Sequence, residues 1–64
     1  MAVKVRNLIR RLEKNGFEEI RQKGSHKIFF NKESKRTVTV PDHGSGAEIP
    51  TGTEKSILKQ AGLL

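Results

Sequence analysis

The sequence predicts an α+β domain of order α-β-β-β-α, a three-stranded antiparallel sheet with both helices on one face. Three observations carry this expectation. An apolar stripe at helical spacing lies near each end of the chain, three short strand-like runs lie between them, and glycine-containing turns mark the joints. One helix before and one after three consecutive strands gives a two-layer arrangement that leaves the second face of the sheet free.

Val5, Leu8, Ile9 and Leu12 recur at i, i+3, i+4 and i+7, which gathers them on one side of a helix running from about Val5 to Lys14. Asn15-Gly16-Phe17 ends it, with Gly16 suited to a left-handed C′ position and Phe17 placed to pack back on Leu12. Strands are expected over Glu18 to Lys23, Lys27 to Asn31 and Thr37 to Val40. If Gly24-Ser25 is a two-residue loop, glycine at its first position suits a type II′ turn, and Lys23 then faces His26. Strict alternation from that pair puts Ile20 opposite Phe29 on the core face and gathers Arg21, Lys23 and His26 on the other. Ile28 and Phe30 fall on this second face, either covered by other chain or offering a stacking surface. Val38 and Val40 alternate with Thr37 and Thr39 as in a half-buried strand.

Pro41 to Pro50 reads as a loop rich in glycine and polar groups, and Lys32-Glu33-Ser34-Lys35 as a solvated hairpin loop. Thr51 and Glu54 have capping-box spacing, so the second helix is expected over about Gly52 to Ala61, with Ile57, Leu58 and Ala61 inward. Gly62 repeats the first helix's ending, and Leu63 should pack on Leu58.

Length and composition bound the function. A 64-residue chain supports one domain, here residues 1–64, and excludes a multidomain enzyme. Apolar runs stop at three residues, as in Ile28-Phe29-Phe30, so neither a membrane span nor a signal peptide is expected, and the cytoplasm is the expected location. The chain has no cysteine, which excludes a disulfide scaffold and any thiolate zinc site. Its net charge of +6 is uneven, because residues 1–36 carry 11 Lys and Arg against 4 Glu. Such a concentrated positive field attracts polyanions, and nucleic acid is the usual one.

Phosphate-cradling glycine loops, HExxH and Cys-His pairs are absent from the sequence. Only His26 and His43 offer imidazole, at separate places in the chain, so no metal site is expected. His26 opens a strand directly after a tight turn, on the face that carries Arg21 and Lys23. Imidazole can move protons near neutral pH, and neighbouring cations can hold a phosphate and stabilise its developing charge. RNA supplies its own nucleophile in the 2′-hydroxyl, so one histidine and a few cations could suffice for slow cleavage. Two other readings use the same residues: a non-catalytic RNA-binding domain and a module that binds another protein.

Taken in order, Leu12-Glu13-Lys14-Asn15-Gly16-Phe17, Arg21-Gln22-Lys23-Gly24-Ser25-His26, Val40-Pro41 with His43 and Glu48, and Gly52-Thr53 leading to Ile57-Leu58-Lys59-Gln60-Ala61-Gly62 resemble the HicA toxin family. The similarity spans roughly residues 5 to 63. It implies a double-stranded-RNA-binding-domain-like fold and an mRNA interferase, an endoribonuclease that needs no metal or other cofactor. It also implies mRNA as substrate and neutralisation by a HicB-like antitoxin protein that covers the active face. The histidine of the family's Gly-Ser-His motif is catalytic and maps onto His26, with Gly24 and Ser25 completing the motif. Arg21, Lys23 and Lys27 are the expected phosphate-binding residues; His43 matches a family position without an assigned role.

Overall fold

The computed structural model describes residues 2–44 and 46–64. In chain order its elements are β1 (Ala2–Lys4), α1 (Val5–Lys14), β2 (Phe17–Lys23), β3 (His26–Asn31), β4 (Thr37–Pro41), β5 (Glu48–Pro50) and α2 (Thr51–Gln60). Strands β2, β3 and β4 form the expected antiparallel sheet in that order, and the α-β-β-β-α order holds. A second sheet pairs β1, ahead of α1, with β5, Val3 facing Ile49; β5 lies inside the Pro41–Pro50 stretch that reads as a loop from sequence. Three-residue strands carry too short an alternation to be told from loop. Ser45 of that stretch, like Met1, lies outside the described residues.

Both helices cover one face of the three-stranded sheet. Val5, Leu8 and Leu12 of α1 and Ile57 and Leu58 of α2 form one core with Phe17, Phe29, Val38, Val40, Ile49 and Ala61. Phe29, at the centre strand, is fully buried. Each helix ends as glycine and the following apolar residue dictate. Gly16 has φ 92° and its N–H donates to the Glu13 carbonyl, which turns Phe17 into the core beside Leu12. Gly62 has φ 76°, and the Leu63 N–H closes on the Leu58 carbonyl at 2.9 Å. Helix α2 starts one residue earlier than its capping-box spacing suggests, with Pro50 at the N-cap and no side-chain cap there. Pro50 is also the last residue of β5, so strand runs into helix without an intervening turn.

One expectation about the faces is overturned. Glu19, not Ile20, pairs with Phe29; Ile20 is the extra residue of a β-bulge between Glu19 and Arg21 and stands 59% exposed. Strict alternation over seven residues would put Phe17 and Lys23 on the same face. The α1 ending sends Phe17 inward, whereas the Gly24-Ser25 turn places Lys23 outward beside His26. The bulge reconciles these two local demands, and the larger aromatic side chain is buried in place of Ile20.

Asn31, only 8% exposed, ties the end of α1 to the β3–β4 loop at one end of the sheet. Its Nδ2 donates to the Asn15 carbonyl at the end of α1, and its Oδ1 accepts from the Glu33 and Ser34 N–H groups in the β3–β4 loop. Asn31→Leu removes all three bonds and leaves the Asn15 carbonyl without this donor. A loss of about 2–3 kcal/mol is expected by urea denaturation, and a variant as stable as wild type would contradict the role assigned to Asn31.

Candidate active site

The uncovered face of the sheet is ordered in cross-strand rows. Directly paired residues of adjacent strands share a face, so Lys23, His26 and Pro41 form the row at the hairpin tip. Arg21, Ile28 and Thr39 form the next row, and Glu18, Phe30 and Thr37 the last. The hairpin has the expected two-residue turn, with Gly24 at φ 59° and Ser25 outside the positive-φ region, the pattern of type II′. The Asp42 N–H donates to the Ser25 carbonyl at 2.6 Å, and Gln22 Nε2 donates to the Gly24 carbonyl at 3.1 Å. The turn that delivers His26 is therefore held from both flanks.

Lys23 lies directly across from His26, a placement that sets Cβ atoms about 4.5–5.5 Å apart, and Arg21 lies on the diagonal at about 7–8 Å. All three side chains are exposed, and neither cation pairs with a carboxylate among the described residues. Two free cations beside an imidazole can hold a phosphodiester and stabilise charge that develops on it while the imidazole exchanges a proton. Ile28 and Phe30 are half-buried in the next rows with no helix over them, an apolar floor against which a base can stack.

Lys27 does not join this group. As the neighbour of His26 in a strand it points to the opposite face, with Phe29 and Asn31. There its Nζ pairs with Asp42 Oδ2 at 3.1 Å. Its expected role as a phosphate contact beside Arg21 and Lys23 is therefore not matched by its position. Its partner Asp42 was not singled out from sequence, since nothing in a glycine-rich loop marks one carboxylate. The alternation of β3, however, already places Lys27 on the face of Phe29. His43 is exposed in the loop after β4, outside the three rows. Among the described residues, no cluster of three or more His, Asp or Glu comes together to hold a metal ion, and no helix is long and apolar enough to cross a membrane.

Asp42 Oδ1 also accepts the Gly44 N–H at 3.1 Å. That bond, then Lys27, holds the Asp42 carboxyl below its ordinary 3.8, while the hydrogen bond to Asp42 raises the Lys27 ammonium above 10.5. A carboxyl depressed in the folded state adds stability above its unfolded value, and that stability is lost as pH falls through the folded one. Asp42→Asn should be the less stable protein at neutral pH, and its melting temperature should converge with wild type as both are acidified to about pH 2. A difference that stays constant over this range in thermal melts would contradict the assignment.

The family model described as the HicA toxin of bacterial toxin-antitoxin matches residues 5–63, which include both helices, the whole three-stranded sheet and the Gly24-Ser25-His26 turn. No curated protein matches the chain. With nearly its full length matched, the chain belongs to the HicA toxin family, the toxin half of a bacterial toxin–antitoxin system, which implies a cognate antitoxin as its partner.

Proposed function

We propose that this toxin is an endoribonuclease that cleaves mRNA in the cytoplasm, with His26 carrying a proton transfer, and that a HicB-like antitoxin inhibits it by covering the same face. The observation that supports this most is the placement of His26 beside Lys23 and diagonal to Arg21 on a sheet face that neither helix covers. The 2′-hydroxyl of the RNA loses its proton and its oxygen attacks the adjacent phosphorus, while the bond from phosphorus to the 5′-oxygen breaks and that oxygen gains a proton. This leaves a 2′,3′-cyclic phosphate on one fragment and a 5′-hydroxyl on the other. The nucleophile comes from the substrate, so the protein supplies cations and one imidazole, and no metal is required.

An antitoxin fits this surface if it presents carboxylates to Arg21 and Lys23 and apolar groups to Ile28 and Phe30. The deciding experiment incubates the purified toxin, free of antitoxin, with a long transcript in the presence of a chelator and resolves the products on a gel. Cleavage to fragments ending in cyclic phosphate is expected. An intact transcript that nevertheless shifts in mobility would instead support a non-catalytic RNA-binding domain of the same fold.

A further inference from the structure

A cleft of about 390 Å³ opens on the other side of the same hairpin, between α1 and the loop after β4. Arg6, Gln22, Lys27, Asp42, Gly44, Gly46 and the apolar Ala47 line it. Its volume falls in the range of roughly 300–1,000 Å³ common to ligand sites. The charges in the lining sort themselves. Lys27 and Asp42 neutralise each other at 3.1 Å, whereas Arg6 is exposed and pairs with no carboxylate among the described residues. The cleft therefore presents a neutral, hydrogen-bonding wall with one uncompensated positive charge. Gln22 lines this space, and its side-chain carbonyl oxygen is left to accept a bond because only Nε2 is engaged, with the Gly24 carbonyl. At Gly44 and Gly46 an added Cβ would meet nothing within 4 Å, so a flat group can approach the backbone at these two positions.

One negative charge on a neutral polar body describes one nucleotide within a chain. A polyphosphate would meet Asp42 with too much charge, and a metal cation would be repelled by Arg6. Gln22 and Lys27 each adjoin the Lys23–His26 pair in sequence and in the ladder. An RNA strand with its scissile phosphate on that pair can pass the hairpin tip and reach the cleft with a flanking nucleotide. We propose that the cleft is a subsite for one nucleotide of bound RNA, its phosphate on Arg6 and its base read by the Gln22 amide. This rests on the reading of RNA as the substrate and adds where sequence preference arises.

The test measures fluorescence anisotropy of labelled homo-oligoribonucleotides of the four bases with full-length His26→Ala protein, so that binding is read without cleavage. Arg6 and Gln22 are exposed, and circular dichroism checks that each variant is folded. Adding Arg6→Ala should weaken binding about tenfold and reduce the slope of log affinity against log salt by about 0.7, the value for one phosphate on a single strand. Adding Lys55→Ala, at an exposed position of α2 away from the cleft, should change neither. The His26→Ala protein alone should prefer one base, and Gln22→Met, which keeps the side chain's length, should level that preference. An Arg6→Ala result that matches Lys55→Ala, or a base preference that is absent or survives Gln22→Met, overturns the subsite even if wild type cleaves transcripts. A wild type that cleaves nothing but shows the Arg6 and Gln22 effects keeps the subsite and refutes the nuclease.

Discussion

Phe29→Ala should unfold most of the protein at physiological temperature. Phe29 is fully buried on the central strand, with Val38 directly across from it and helices α1 and α2 packed on the same face. Truncating a buried phenylalanine removes its transfer free energy and leaves a cavity, together about 3–5 kcal/mol. A domain of this length has a total stability of only about 3–10 kcal/mol. Each kcal/mol shifts the melting temperature of so small a domain by about 4–8 °C, so circular dichroism should show a drop of tens of degrees or no cooperative melt. Phe29→Leu, which refills most of the volume, should lose much less. A Phe29→Ala protein that melts within a few degrees of wild type would mean that the core is centred elsewhere.

Much of this arrangement was legible in the sequence where a local signal had no competitor. The stripe Val5, Leu8, Ile9 and Leu12, stopped by Gly16, gives α1 its observed limits, and Gly24-Ser25 gives the hairpin its turn and the pairing of Lys23 with His26. The face shared by Arg21, Lys23 and His26 follows from that single pair. Legibility failed where two local signals conflicted. Within β2 the inward demand at Phe17 and the outward demand at Lys23 differ by one residue, and alternation applied from one end alone puts Ile20 in the core. The bulge that resolves the conflict has no sequence mark of its own. Strands β1 and β5 were illegible for a different reason, because each is three residues long and is defined by a partner more than forty positions away. Lys27 shows the reverse case: its parity was readable, but its carboxylate partner lies in a loop, and only the tertiary structure brings Asp42 to it.

If RNA is the substrate as proposed, the same two-sided hairpin gives so small a chain two surfaces on which to hold it. Its outer side carries His26 with Lys23 and Arg21, and its inner side, through Gln22 and Lys27, forms a wall of the cleft below α1. Core packing sets the strand parity, and strand parity sorts alternate residues into two surfaces. The charge that first suggested nucleic acid is thus divided by the fold into a free cationic row beside an imidazole and a neutralised pair on the reverse face.

His26→Ala carries the other large effect. The side chain is exposed and its backbone is held by the turn and the sheet ladder, so its removal should leave the melting temperature near that of wild type. A positioned acid or base contributes about 10²- to 10⁴-fold to a proton-transfer step, and RNA cleavage should fall by that factor with binding largely retained. The direct measurement compares purified wild type and His26→Ala on the same long transcript, at matched concentration, with folding checked by circular dichroism. Wild type should yield fragments, and the folded variant should leave the transcript intact over the same time. Cleavage at the wild-type rate by His26→Ala would contradict the role proposed for His26.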